Sequence, residues 1–305
     1  MRAKFLPWLL VLAGAVLVSI PWIAEASDPY LVVPAAEVVD QSPAYRYANM
    51  GEQQALDELD RRKILYQRTE RHGVVRTPIR LTGRLHGVHI HSALPEHERP
   101  TTPFEICDAR FALALDDFAA QLAVRGIVEL VHYTMYRPSA ESTAPAVSAA
   151  WAGSLSRLAS QKYWLGASFE NAKAPGTAKI AQTGKRSASK PAASGSRSAS
   201  SPPRIMTGPS RHSLGLAIDL GAFVKHDGSV LRVGSHFLGK IGVQTCGPGS
   251  LPPNEPSSAR ELWDIVCDAF DAKVFTYVLT PNFDQPHHDH FHMEINPGVR
   301  WFLYH

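Results

Sequence analysis

An α+β fold, with a central antiparallel sheet bearing a His/Asp/His site and helices packed against it, is what this sequence predicts from three observations. Phe111, Leu115, Phe118 and Leu122 recur at spacings of four, three and four, which marks a helix from about Asp108 to Arg125. Asp108 can cap its start and Gly126 ends it, and Ile127 to Tyr133 follows at once as an apolar run of strand length. The second observation repeats that order: Ser258-Ala259-Arg260-Glu261 is a capping box opening a helix with Leu262, Trp263, Val266 and Phe270 on one face, and Val274 to Leu279 reads as the strand after it. The third is alternation. Leu216, Ile218 and Leu220 alternate with Ala217 and Asp219, and strand periodicity puts His290 and His292 on one face with Phe291 and Met293 opposite.

The flanking segments are less regular. Ser27 to Tyr47 contains several prolines and reads as an extended lead-in, and Gly51 to His72 as a helix with Gly73 at its C-terminus. Met1 to Lys4 is basic and Phe5 to Ala24 is almost wholly apolar, with Ala24-Glu25-Ala26 fitting a small-x-small cleavage site. Residues 1–26 therefore read as an export signal, with an uncleaved membrane anchor as the alternative. Either way the rest of the chain is expected to work outside the cytoplasm, periplasmic or secreted, and to touch a membrane only through that segment if it is retained. In such a compartment disulfides persist, and of Cys107, Cys246 and Cys267 the preferred pair is Cys246 with Cys267, which would tie a Pro/Gly-rich loop to a helix. Three buried thiols are the alternative.

The chain has 31 Lys and Arg against 28 Asp and Glu. That net charge of +3 is too slight to argue for a nucleic-acid partner. Much of the basicity sits between Ala172 and Arg204, a stretch of Ala, Ser, Gly, Pro and seven basic residues with no acidic one. Such a composition cannot bury enough apolar surface to offset its ordering entropy, so 172–204 reads as a disordered insert. It interrupts a main domain at 103–305, preceded by an extension at 27–102.

Two segments carry the chemistry. Ser210-Arg211-His212-Ser213-Leu214-Gly215-Leu216-Ala217-Ile218-Asp219 places a histidine and a carboxylate seven residues apart, with Gly215 allowing a tight turn between them and the strand ending near Asp219. His287-His288-Asp289-His290-Phe291-His292 concentrates four histidines and an aspartate in six residues. A metal or proton-transfer site is the reading this density supports, and His212, Asp219 and His292 are the three nitrogen and oxygen ligands that a zinc ion with one open position needs. Asp289 would have to sit in the turn entering the strand to face the same cleft. A third cluster, His86, His89 and His91, has no acidic ligand nearby in sequence and reads as structural, or as a wall of the cleft.

Ser-x-His-x-x-Gly-x-Ala-x-Asp followed by a distal His-x-His resembles the metallopeptidase superfamily that includes D-alanyl-D-alanine carboxypeptidases, lysostaphin-type endopeptidases and the hedgehog signalling domain. Tyr133 to Pro138, Cys246-Gly247-Pro248 and the tail from Val278 to His292 bring it nearer to bacterial extensin-like C-terminal domain proteins. The resemblance implies Zn2+ on His212, Asp219 and His292. It implies a general base at Asp289, as in the carboxypeptidases, or at His290, as in the lysostaphin type, and it implies that Arg137 binds a substrate carboxylate or polarises the scissile carbonyl. The implied activity is hydrolysis of peptides in peptidoglycan or another envelope polymer; a zinc-containing module that binds wall or glycan without catalysis is the alternative.

Overall fold

The computed structural model describes residues 30–138 and 210–305; the expected export signal at 1–26 and the expected disordered insert at 172–204 lie outside the described residues. Near the start, β1 (Leu31–Val32) leads into two short helices where an extended lead-in was expected, α1 (Ala36–Gln41) and α2 (Pro43–Ala48). The prolines explain the difference. Pro43 occupies the first turn of α2, where its missing N–H costs nothing, and the Ser42 side chain caps the helix by accepting from Tyr45 N. Next comes α3 (Glu52–Arg61), which stops about three turns short of the expected His72. Lys63 adopts a φ of 59°, and Tyr66 is already extended in β2 (Tyr66–Arg68), antiparallel to β3 (Pro78–Leu81).

After β4 (His89–Ser92) and β5 (Ile106–Asp108), the long helix α4 (Ala109–Val124) runs as its periodicity predicts. The Asp108 side chain accepts from Arg110 N at its start, and Gly126 lies beyond its end at a φ of 74°. Then follow β6 (Ile127–Thr134), β7 (Ala217–Lys225), β8 (Val230–Arg232), the single turn α5 (Val233–His236) and α6 (Ser257–Asp271). The capping box is not formed. Helix α6 begins two residues earlier, with Pro256 rather than Ser258 as N-cap, and Glu261 instead pairs with Lys225 Nζ at 2.8 Å. Finally come β9 (Tyr277–Leu279), β10 (Phe291–Glu294) and β11 (Phe302–Tyr304).

Eight strands form one sheet, in the order β1-β11-β9-β10-β7-β6-β4 with β8 alongside β7, and β2-β3-β5 form a second, smaller one. The large sheet is mixed rather than wholly antiparallel: β4 with β6 and β11 with β9 run parallel, while the centre, β9-β10-β7-β6, is antiparallel. The extension at 27–102 supplies β1 and β4 to this sheet and packs α2 and α3 on α4, so it belongs to the same fold. Phe291 and Met293 join Phe223, Leu220 and Ile218 in the core beneath the sheet, where Phe118 and Phe111 of α4 meet Phe275 and where Trp263 of α6 stacks on Phe237 at 5.3 Å. Burying each such aromatic ring is worth about 2 kcal/mol. The opposite face carries the polar side chains. Cys246 and Cys267 form the expected disulfide, and Cys107 is a buried free thiol. Among the described residues no helix is long and apolar enough to cross a membrane.

One buried polar contact ties the edge of the sheet to its neighbours. Glu105 Oε1 accepts from Ser92 N at 2.6 Å, and Glu105 Oε2 lies 3.8 Å from Nε2 of the fully buried His132. Burial alone would push this carboxyl up, but His132 and Ser92 outweigh it and hold its pKa at about 2, against an ordinary 4.5. A carboxyl depressed on folding stabilises the protein above its unfolded pKa, and that contribution is lost as pH falls through the folded value. The thermal midpoint, followed by circular dichroism, should therefore drop between pH 4.5 and 2 more steeply in the wild type than in Glu105→Gln, which should be less stable than wild type at pH 7.

Candidate metal centre

Three elements of the polar face converge. His212 lies in a 3-10 turn, Arg211–Leu214, closed by Gly215 at a φ of 65°. A Cβ at position 215 would stand 2.8 Å from Asp108 N, so both conformation and space require glycine there. Asp219 is the third residue of β7, close to the strand's beginning rather than its end as the sequence suggested, because the alternation that starts at Ala217 continues to Lys225. His292 of β10 sits directly opposite Asp219 in the antiparallel register.

The donor atoms of these three residues lie within 4.8 Å of one another, close enough to hold a metal ion. His292 Nδ1 is 3.0 Å from Asp219 Oδ1 and 3.2 Å from His212 Nε2, and His212 Nε2 is 3.1 Å from Asp219 Oδ1. The outer contacts set which nitrogens face the centre. Nδ1 of His212 faces the Met135 carbonyl at 3.3 Å, and Nε2 of His292 faces Glu294 Oε2 at 2.9 Å. An oxygen acceptor behind a ring nitrogen can hold hydrogen there, so that a cation taken up at the centre would meet Nε2 of His212 and Nδ1 of His292. Asp219 adds a carboxylate: burial opposes its ionisation, but His212, His292 and His290 hold it well below the usual range. Two imidazole lone pairs and a carboxylate oxygen pointing at one place repel each other unless a cation or a proton lies between them. The donor set thus fits a divalent metal.

The remaining sequence candidates stand around this centre. His290 Nε2 is 3.6 Å from Asp219 Oδ1, and His290 Nδ1 is 2.8 Å from Asp289 Oδ1. Asp289 does occupy the turn entering β10, yet it faces His290 rather than the centre itself. Arg137 donates from Nη2 to Asp219 Oδ2 at 3.1 Å, with its side chain 44 % exposed at the rim. His288 turns to the Gln285 carbonyl and is exposed, outside the centre. His86 pairs with Asp116 at 3.2 Å, well away from it, while His89 and His91 lie on the edge strand β4.

Three functional neighbours went unassigned in the sequence. Glu294 continues the two-residue alternation of His290 and His292, and that period was the signal available for it. His287 forms a second carboxylate pair, Nδ1 to Asp284 Oδ1 at 2.5 Å, with its ring 5.3 Å from His290 and 5.9 Å from His292; an Asp three residues before a His is a weak signal. Tyr133 has its ring 6.0 Å from that of His290, and a Cβ on Gly221 would meet it at 2.7 Å, so Gly221 is what lets the ring lie there. No sequence spacing reveals that contact.

Replacing Glu294 with Gln should keep the triad but loosen the His292 tautomer. We expect metal affinity, measured by competition with a chromophoric chelator, to fall about 10- to 100-fold, against near-complete loss in Asp219→Ala; an unchanged affinity in Glu294→Gln would show that His292 needs no such partner.

Residues 203–301 match the family described as Extensin-like protein C-terminus. The match spans His212, Asp219, Asp289, His290, His292 and Glu294, and stops short of Tyr133 and Arg137. No curated protein and no solved structure matches the chain. The converging donors His212, Asp219 and His292 all fall inside the span that matches this extensin-like family.

Proposed function

We propose that this chain is an exported zinc-dependent peptidase that hydrolyses peptides of the bacterial cell wall. The observation that carries the reading is the pairing of a converged His/Asp/His donor set with a carboxylate-oriented histidine at its edge. A site that only binds has no use for a base beside an open metal, so the Asp289–His290 pair favours catalysis over a binding module. The basic and apolar leader, and the likeness of the paired motifs to wall-cutting metallopeptidases, support the compartment and the substrate class.

When bound at His212, Asp219 and His292, zinc supplies Lewis-acid activation of water and of the scissile carbonyl. The side chains do the rest. Because the Nδ1–H of His290 is committed to Asp289, its Nε2 is the bare base that faces the centre, which assigns the proton to His290 and an orienting role to Asp289. His290 would take the proton of the attacking water and return it to the leaving amine. Arg137 keeps further N–H donors beyond the one given to Asp219, and from the rim these can hold the developing oxyanion or a substrate carboxylate.

Zinc content of the purified mature protein beside His212→Ala is the first test: about one tightly held ion per chain, lost in the variant, supports the reading, and none after reloading discards it. Digestion of purified peptidoglycan, read by mass spectrometry, then tests the substrate. His290→Ala should lose about 100- to 10,000-fold in kcat with zinc retained, and Asp289→Asn should lose less. A larger loss in Asp289→Asn than in His290→Ala would move the base to Asp289.

A further inference from the structure

The third histidine cluster acquires in the fold the acidic partner that it lacks in sequence. Strand β4 runs parallel to β6 at the edge of the sheet, with His89 in register with Glu129 and His91 with Val131. The rings of His89 and His91 stand 4.8 Å apart, and His91 Nε2 lies 3.5 Å from Glu129 Oε2. His91 is only 6 % exposed, whereas the Glu129 side chain is 38 % exposed and His89 is partly buried.

The tautomer of His91 gives this geometry its meaning. Its Nδ1 is 2.9 Å from the Ser92 carbonyl, an atom that can only accept, so Nδ1 carries the hydrogen. Nε2 is then a bare lone pair facing a carboxylate oxygen. His91 Nε2 and Glu129 Oε2, 3.5 Å apart, thus offer two donor atoms that a shared cation would satisfy. The backbone carbonyl behind His91 repeats the arrangement behind His212, and it is the support that metal-ligating histidines ordinarily have.

We propose that His89, His91 and Glu129 form a second site for a divalent transition metal, separate from the His212/Asp219/His292 centre. Two imidazoles and a carboxylate suit Zn2+, with Cu2+ held more tightly. Measured along β7, Glu129 aligns with Val224, five residues from Asp219, so the two sites are on the order of 15 Å apart or more, too far to share an ion. The His91 and Glu129 donors already face each other; His89 and Glu129, both partly exposed, turn towards the ion to complete the set. Arg84 and Arg99 are engaged by backbone carbonyls, Arg84 with Gly87 and Val128 and Arg99 with Leu94, and their charge makes this the weaker of the two sites. An ion there would clip the short edge strand β4 to β6. The inference stands whether or not the first centre is catalytic.

The test is a zinc titration of the metal-stripped full chain against a chromophoric chelator. Wild type should take up two equivalents in two affinity classes. His91→Gln and the more conservative Glu129→Gln should each weaken the second class at least 10-fold and leave the tighter one unchanged, while His212→Ala should keep only the weaker class. Cu2+ added to His212→Ala should give an electron paramagnetic resonance spectrum with nitrogen hyperfine structure that disappears on adding His91→Gln. A wild type with no class that His91→Gln and Glu129→Gln weaken, whether it takes up one equivalent or two, would overturn the proposal. Loss of the tight class alone would count against the first centre and leave the second standing.

Discussion

The register of β10 on β7 is the constraint on which the rest of the site depends. With His292 opposite Asp219 and Met293 opposite Ile218, every second side chain over 217–220 and 291–294 points to the polar face and the others to the core. A slip of β10 by one residue would carry His292 into the hydrophobic layer and lift Phe291 and Met293 out of it, so the same apolar burial that stabilises the sheet also fixes this donor opposite Asp219. The third donor comes from outside the ladder. His212 reaches the centre from a turn that packs against the start of α4, where Gly215 leaves no room for a side chain against Asp108. Sheet and helix layer are thereby locked together at the point where the donors meet.

Around this register a single device recurs, an acceptor placed behind a histidine to decide which nitrogen is bare. Met135 and Glu294 do this for the two imidazoles of the triad, Asp289 for His290, Asp284 for His287, and the Ser92 carbonyl for His91. Each aims a lone pair without adding a charge to the spot where the lone pair points. The cost is repulsion among converging donors, which ordinary side chains would relieve by rotating away. Rotation is blocked here because His212 and Asp219 are almost wholly buried and His290 and His292 are largely so.

How much of this could be read in advance follows from the range of the interactions. Helix α4 and strand β6 were legible because their signals are local: a 3.6-residue period, an Asp cap and a glycine stop. The triad was legible because His212 and Asp219 share one turn-and-strand unit and His292 sits in an alternating segment. Glu294 followed the same alternation and could have been read from it. Helix α3, by contrast, ends early because Ile64 turns into the core and Tyr66 is captured by β3, opposite Leu81 fifteen residues away. Glu261 looked like a cap residue and is drawn instead to Lys225, on a strand far off in sequence. Glu129 was overlooked as a partner for His91 for the same reason, since only the parallel pairing of β4 with β6 brings them together.

The His-rich turn between β9 and β10 also needs support that no strand supplies, and the disulfide provides its anchor. Cys246 is bonded to Cys267 of α6, and the neighbouring Thr245, buried in the structure, shares a hydrogen bond with Thr280 and accepts from Asn282 Nδ2 at 3.0 Å. Asn282 Oδ1 in turn accepts from Lys240 N at 2.7 Å, in a space so tight that a Cβ on Gly239 would overlap it. Asn282 is therefore held on both sides, two residues before Asp284 begins the turn that carries His287, Asp289 and His290. A loop that must present several polar side chains at fixed angles cannot rely on burial of apolar surface for its shape. Here a covalent link to a helix and a closed set of buried hydrogen bonds take that role, so that the geometry is in place before any ligand arrives.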